Sequence, residues 1–520
     1  MKLLVRIHKN SKELLLLLLC ILIGLALRFY TFDQKSLWMD EIYTYNDSRD
    51  DLKGQFEFYQ ENPTYLHPPL FFVLTHLFYP FPKPERDLRI IPLIFGMLSI
   101  PMIYFLSKSF SQNIAVPCVL SLTLMTYHIS LSQEGRSYTM LIFFGMVALF
   151  FLIQYFKSSN MGYLLPAGIT FAILFYTSYT SIPFIIFSQL LWFYPTEETD
   201  QKRPISSFAI LNGLLGLLCI PWFIFIASNF KDGPIMDPLH TEGTGSFPTI
   251  LYRIFNDWVP HVPLMIAATV LLILFPILSK SKRRALILVA VLFLPLGGVY
   301  AFCKLSNIAH FISSRYFVTF LPIFFIIIYS SIDSIESKFE KMKKYMRLKL
   351  LFVILFIASN VIMLPLYYRS EKQNFKGLAT YLKSNLQQGD KIFVGGVGYI
   401  QGLLHYFGPS PEGRHYQVPY TKISEKEIEY KKSFIYGDRA FTLYSSTHCC
   451  SRYVADGSRL WIIVGEENAK RLRRYSPFTF KGYFDGSFLN FDKFPHDASI
   501  YLFLYDPKTP GEKGIDLPTD

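Results

Sequence analysis

Long apolar runs recur along this sequence and constrain its fold more than any other feature. A helix that crosses a membrane needs about 20 mostly apolar residues. About eleven runs approach that length, and they are 14–32, 90–107, 114–131, 138–156, 161–179, 181–194, 206–228, 262–279, 285–303, 315–332 and 350–367. The sequence therefore predicts a mostly α-helical, polytopic membrane bundle of about eleven spans.

The charges between these runs predict the orientation of the bundle. With the N-terminus in the cytoplasm, the segments on that side hold 18 Lys and Arg against 7 Asp and Glu, whereas residues 33–89 outside hold 6 against 10. Cytoplasmic loops of membrane proteins are enriched in basic residues. The net charge of +12 is therefore a topology signal, and we expect no nucleic-acid partner.

Residues 369–520 differ in character from the rest of the chain. Short apolar segments at 391–396, 459–465 and 499–506 alternate with polar loops, and residues 374–386 have helical periodicity. An odd number of spans places this region on the side opposite to the N-terminus. We expect two domains, a membrane bundle over 1–368 and a small extracytoplasmic α/β domain over 369–520.

Two adjacent acids follow the first apolar run. Asp40 and Glu41 lie between Trp38 and Tyr43. Acids favour a helix N-terminus, so the pair is typical of a helix start. The alternative is that one of them is a general base for a hydroxyl at the membrane surface. Since neighbouring residues on a helix point about 100° apart, at most one of the two is expected to face a given substrate atom.

Other polar motifs occur at the outer ends of later runs. The motif SQEGRSY holds Glu134 and Arg136, which form either a local ion pair or a second acid and a phosphate contact. Arg315, in SSRYF, either extends to the membrane interface or binds a phosphate. His67, in HPPL, precedes an apolar stretch too short to span a bilayer, and it either stabilises a turn or contacts a ligand.

The order of four motifs resembles that of the family 39-type glycosyltransferases. These motifs are SLWMDE, HPPLFFVLTHLF, SQEGRSYTM and SSRYFVTFLP, and the resemblance covers roughly residues 10–370. The family lies in the C-fold superfamily, with the protein O-mannosyltransferases and the lipid A aminoarabinose transferase. Its members take a sugar from a polyprenyl-phosphate donor on the outer face of the cytoplasmic membrane and transfer it with inversion.

This resemblance implies that the first outer loop, 33–89, is catalytic, with Asp40 as the base and Glu41 as its support. The implied site residues are, for catalysis, Asp40, Glu41 and Glu134; for the donor phosphate, Arg136, Arg315 and Tyr316; and for substrate, His67 and Tyr138. Gly135 departs from the family pattern, which has alanine there. No metal ligand is assigned, although two acids could hold a divalent ion.

The sequence thus predicts an inverting glycosyltransferase of the cell (inner) membrane with a periplasmic C-terminal domain. Its partners would be a polyprenyl-phosphate sugar, membrane lipid, and a lipid, glycan or protein acceptor. A transporter or flippase of lipid-linked glycans is one alternative, and it would carry ionisable residues within its spans and internal repeats. A non-catalytic membrane scaffold is the other, and it would tolerate replacement of the carboxylates.

Overall fold

The computed structural model divides into two compact units. It describes residues 2–61, 67–195, 203–230, 245–306, 312–339, 347–395, 397–407, 421–424, 427–436, 439–446, 457–473, 477–486 and 499–509. The first unit comprises Met1–Phe32, Asp50–Pro80 and Arg89–Pro365. The second comprises Asp33–Arg49, Phe81–Leu88 and Leu366–Asp520. Residues 33–49 and 81–88, which come from the first loop, therefore cluster with the C-terminal part of the chain.

All elements described in the first unit are helices. The α-helices are Lys2–Phe29, Leu52–Glu61, Leu70–His76, Ile90–Phe110, Ala115–Leu124, Thr126–Ser132, Tyr138–Ser158, Leu164–Thr177, Ile182–Ser188, Ile205–Asn229, Phe247–Trp258, Val262–Leu278, Lys282–Leu305, Leu321–Lys338 and most of Leu348–Arg369. Short 3-10 helices occur at Gln112–Ile114, Met161–Tyr163, Tyr179–Ser181, Gln189–Phe193 and Ser314–Phe320.

Several of these helices have the length and apolarity of membrane spans. Among the described residues there are six, or up to eight if each of two bent pairs is one span. The six are Pro84–Phe110, Tyr138–Ser158, Ile205–Asn229, Lys282–Leu305, Ser314–Lys338 and Leu348–Arg369. The chain is a multi-pass membrane protein with a mostly helical fold, as the sequence predicts.

About eleven spans are expected from the sequence, whereas six to eight helices of the described residues are long and apolar enough to cross a membrane. All of the predicted runs are helical, but the run 114–131 is broken at Met125, and Val262–Leu278 is bent by 108° from the helix before it. Met161–Thr177 and Tyr179–Phe193 are separate short helices. Hydrophobicity locates these runs but does not report where a helix breaks, as at Met125, or ends after a few turns.

The helices Leu321–Lys338 and Ile205–Asn229 of the first unit differ in how deeply their side chains are buried. Every residue from Leu321 to Tyr329 is buried, as expected for a helix that is apolar on all sides and surrounded by others. Ile205–Asn229 instead exposes large apolar side chains such as Phe223, which is 54% exposed. An exposed surface of this composition is suited to lipid rather than to water.

A seven-stranded sheet forms the centre of the second unit, in the order β2-β3-β4-β1-β5-β7-β6. The strands are β1 Lys391–Val394, β2 Thr421–Ser424, β3 Glu427–Tyr436, β4 Arg439–Ser446, β5 Leu460–Val464, β6 Thr479–Phe484 and β7 Ile500–Tyr505. β1 pairs in parallel with β4 and β5, and the other neighbours are antiparallel. The apolar segments predicted from the sequence correspond to β1, β5 and β7.

In the described part of this unit, the helices that accompany the sheet are Met39–Asp47, Pro84–Asp87, Phe375–Asn385, Val397–Phe407 and Glu466–Leu472. Phe375–Asn385 is the helix predicted from periodicity at 374–386. This helix packs closely on Val397–Phe407. The closeness is shown by Gly402, where an added Cβ atom would lie only 2.4 Å from the Phe375 ring. A glycine at position 402 therefore permits the approach of these two helices.

Candidate functional site

A bend in the third apolar run leads into the site. Met125 has extended backbone geometry and separates Ala115–Leu124 from Thr126–Ser132, and the two helices are bent by 59°. A helix break deprives the backbone groups on both sides of their usual partners. In an apolar interior such groups must find other partners, because an unpaired buried polar group costs free energy.

Arg28 supplies the donors for the carbonyls before the break. This arginine, at the end of Lys2–Phe29, is 0% exposed. Its Nη2 donates to the carbonyl of Leu122 at 3.2 Å, and its Nη1 donates to that of Thr123 at 3.1 Å. Its Nη2 also lies 2.7 Å from Nδ1 of His128. Because a guanidinium can only donate, Nδ1 accepts, and the proton of the neutral ring is on Nε2.

Asn360 supplies hydrogen-bond acceptors to the helix after the break. It lies in Leu348–Arg369 and is 1% exposed. Its Oδ1 accepts the backbone N–H of Thr126 at 2.8 Å, and its carbonyl accepts the Thr126 hydroxyl at 2.8 Å. The bend is thus held by two polar side chains from other helices, and neither residue was singled out from the sequence.

The turn after the bent helix carries Glu134. Gln133, at its start, donates through Nε2 to the carbonyls of Arg28 at 2.9 Å and Tyr30 at 2.6 Å. These bonds fix the turn to the end of the first helix. Glu134 itself is 2% exposed, which is rare for a carboxylate and demands a compensating charge or donors.

Arg315 lies beside Glu134. Its Nη1 is 3.9 Å from Oε1 of Glu134, and its guanidinium lies 5.8 Å from the centre of the Tyr138 ring. Ser313 caps the 3-10 helix Ser314–Phe320, and its hydroxyl accepts from the backbone N–H and the Nε of Arg315, both at 3.4 Å. The structure therefore brings together three of the residues predicted from the sequence.

A second acid, Asp257, adjoins this group through Ser314. The Ser314 hydroxyl donates to Oδ2 of Asp257, so the hydroxyl of Tyr127, 2.9 Å from Ser314 Oγ, must be the donor of the second bond. Asp257 was not predicted from the sequence. A signal existed, since it lies in the last turn of Phe247–Trp258, where an acid opposes the helix dipole.

The remaining predicted residues of the first unit occupy less enclosed positions. Arg136 is half-buried in the same turn as Glu134, and its backbone N–H donates to the Glu134 carbonyl at 2.6 Å. Tyr316 is half-buried in the 3-10 helix that holds Arg315. His67 is exposed, just before Leu70–His76, and its ring is 6.5 Å from that of Phe72.

Asp40 and Glu41 lie in the second unit, at the start of Met39–Asp47. Asp40 is half-buried, whereas Glu41 is 1% exposed. Glu41 Oε2 accepts the backbone N–H of Trp38 at 3.4 Å, so this carboxylate caps its own helix, as acids at the third helical position often do. The assignment of Asp40 as the catalytic base, with Glu41 as its support, stays a prediction.

The described part of the chain holds no group of three or more His, Cys, Asp and Glu side chains that could bind a metal ion. Glu134 lies beside Arg315, and Asp257 accepts a hydrogen bond from Ser314.

Comparison with known proteins agrees with the motifs. Residues 66–225 match the family of dolichyl-phosphate-mannose-protein mannosyltransferases. No curated protein matches the chain. Among solved structures, apo ArnT from Cupriavidus metallidurans is similar at a TM-score of 0.52 and 11% identity, over 97% of this chain and 100% of that one. ArnT bound to undecaprenyl phosphate is similar at a TM-score of 0.51 and 11% identity, over 96% and 99%.

The two kinds of likeness cover different parts of the chain. The residues that match the family, 66–225, include His67, Glu134 and Arg136, and the fold likeness covers nearly the whole chain. The resemblance to the family 39-type glycosyltransferases of the C-fold superfamily is thus confirmed, in sequence pattern over residues 66–225 and in fold over nearly the whole chain.

Proposed function

We propose that this protein transfers a sugar from a polyprenyl-phosphate donor to a hydroxyl of a lipid, glycan or protein acceptor, with inversion at the anomeric carbon. The lipid tail of the donor would lie against the apolar helices, which accounts for a catalytic centre built within a membrane protein. The charge distribution favours an orientation in which the reaction occurs on the outer face of the cytoplasmic membrane, with the C-terminal domain outside.

The observation that most supports this proposal is the proximity of the Glu134 carboxylate to the Arg315 guanidinium. Burying a carboxylate and a guanidinium is expensive, and such a pair is weak evidence for a purely stabilising role. Ionisable residues inside membrane bundles commonly mark substrate sites. Arginine binds phosphate with two parallel hydrogen bonds, so Arg315 suits the phosphate of the donor. The fold likeness to a protein solved with undecaprenyl phosphate supports a polyprenyl-phosphate ligand.

The proposed reaction needs one base and one phosphate site. Asp40 accepts the proton of the acceptor hydroxyl as its oxygen forms a bond to the anomeric carbon. The bond between that carbon and the phosphate oxygen breaks on the opposite face, and its electron pair leaves with polyprenyl phosphate. Arg315, with Arg136 and Tyr316, stabilises the charge that develops on this leaving group. Glu134 positions Arg315, and His67 and Tyr138 contact the substrate.

The test is a transfer assay with the purified protein in lipid nanodiscs. A panel of labelled polyprenyl-phosphate sugars is incubated with membrane extract, and the products identify donor and acceptor. Asp40→Asn is expected to lower turnover by about 10²–10⁴-fold, the usual contribution of a general base. Asp33→Asn, an exposed acid of the same segment, is the control and should retain activity.

Two results would count against the proposal. Wild-type turnover in the Asp40→Asn protein would show that Asp40 is not the general base. The proposed reaction would be refuted if a folded wild-type protein, tested with an active extract, transferred sugar from no donor of the panel.

A further inference from the structure

Side chains from the C-terminal part of the second unit hold the backbone that precedes Asp40. The backbone N–H of Ser36 donates to Oε2 of Glu371 at 3.1 Å. That of Leu37 donates to the hydroxyl of Tyr406 at 2.7 Å, and that of Met39 donates to Oε1 of Gln373 at 2.9 Å. We call these three acceptors, Glu371, Gln373 and Tyr406, the backbone clamp.

Tyr406 is the centre of the clamp. It lies near the end of Val397–Phe407, and its hydroxyl accepts from Leu37 and, at 3.4 Å, from the hydroxyl of Ser36. The same hydroxyl donates to Oε1 of Glu85 at 3.4 Å. A tyrosine hydroxyl has one proton to donate and two lone pairs, so it can accept from Leu37 while it donates to Glu85.

Side-chain contacts continue along the segment that carries Asp40. The Lys372 ammonium lies 4.3 Å from the centre of the Trp38 ring, within the range of a cation–π interaction. The ring of Tyr45 meets that of His405 edge to face at 4.7 Å. Residues on both sides of Asp40 therefore contact residues of the C-terminal chain.

Backbone hydrogen bonds are specific enough to set the position of a neighbouring side chain. Leu37 is 0% exposed, so its N–H has to be paired within the protein. Met39 begins the helix in which Asp40 is the second residue, so its backbone position determines where the Asp40 side chain starts. An error of about 1 Å in the placement of a catalytic group can cost about 10²-fold in rate.

We infer that the C-terminal domain is a working part of the catalytic centre, because its backbone clamp positions Asp40, with Tyr406 and Gln373 as positioning residues. This inference rests on the proposed function for the role of Asp40. It assigns to the C-terminal domain a task that is distinct from acceptor binding and that does not depend on which acceptor is used.

The first test measures hydrogen exchange and needs no turnover. Tyr406→Phe and Gln373→Leu each remove one acceptor, and we expect amide exchange in peptides covering residues 36–39 to rise at least tenfold. Gln373→Glu retains an oxygen at the same place and should keep exchange slow. Tyr505→Phe, in β7 with its ring packed on Phe478, removes a hydroxyl from the same domain and is the matched control.

The second test measures transfer by the same proteins in nanodiscs. Tyr406→Phe and Gln373→Leu should lower kcat at least tenfold with the KM for the polyprenyl-phosphate donor unchanged, and Gln373→Glu should restore kcat. A clamp that only stabilises the fold would leave kcat of the folded protein unaltered.

Each result decides the inference. Unchanged exchange in both clamp variants, or faster exchange with unchanged kcat, would overturn it. If the wild-type protein transfers no sugar, the proposed function fails, and the role assigned to the clamp in catalysis fails with it. Exchange would then still show whether the clamp holds residues 36–39, so the two failures are distinguishable.

Discussion

Replacement of Arg28 is the most direct probe of the bend that leads to Glu134. Arg28→Met keeps a long unbranched side chain but removes all five N–H donors. The carbonyls of Leu122 and Thr123 would lose their guanidinium partners, at about 1–3 kcal/mol for each buried group left unpaired. Removing a buried charge offsets part of this loss. We expect the free energy of unfolding to fall by about 2–4 kcal/mol.

The assay is thermal unfolding in nanodiscs, followed by tryptophan fluorescence. A loss of this size should lower Tm by about 5 °C or more, since each kcal/mol shifts Tm by about 2–4 °C in domains of moderate size. Arg369→Met is the control, because Arg369 also ends a membrane helix but is exposed. Equal Tm values for Arg28→Met and Arg369→Met would refute the role of Arg28 in holding the bend.

Three further substitutions test separate parts of the molecule. Glu134→Gln should lower sugar transfer at least tenfold, measured in the nanodisc assay, because it removes the charge that faces Arg315. Asn360→Leu should lower Tm through a loss of about 1–3 kcal/mol, because the buried N–H of Thr126 loses its acceptor. Asp390→Asn should destabilise the C-terminal domain by about 2 kcal/mol or more, measured by urea unfolding, since Asp390 is 2% exposed and its carboxylate is paired.

Matched controls accompany these three variants. Glu57→Gln changes an exposed acid and should leave transfer unaltered. Asn212→Leu replaces a half-buried asparagine whose side chain donates to a carbonyl of its own helix, and it should leave Tm unchanged or higher. Asp506→Asn removes the more exposed of the two acids beside Arg459, so it should destabilise the domain less than Asp390→Asn does. An effect as large in a control as in its test variant would contradict the corresponding argument.

Much of the fold could be predicted from the sequence because its signals are local. An apolar run such as 138–156 becomes the helix Tyr138–Ser158, and the apolar segment at 459–465 becomes β5. The bend at Met125 could not be predicted, because the residues that stabilise it, Arg28 and Asn360, lie far away in sequence. Hydropathy describes each run separately and contains nothing about such partners.

The candidate site was predictable to a similar degree. Glu134 and Arg315 were selected because ionisable residues beside apolar runs are costly, and the structure places them 3.9 Å apart. Asp257 gives only a weak signal, an acid in the last turn of a helix, and no motif around it marks a site. The backbone clamp could not be predicted from the sequence. No local pattern distinguishes Gln373 or Tyr406 from other polar residues, and their role depends on hydrogen bonds to backbone more than 300 residues away.

The clamp also has a consequence for the order in which the protein matures. A ribosome makes residues 36–39 early, whereas Glu371, Gln373 and Tyr406 emerge more than 300 residues later. Until then, the N–H groups of Ser36, Leu37 and Met39 lack these acceptors. The segment with Asp40 can therefore reach its final position only when most of the chain has been synthesised, so a nascent or truncated chain would carry its proposed base without the contacts that hold it.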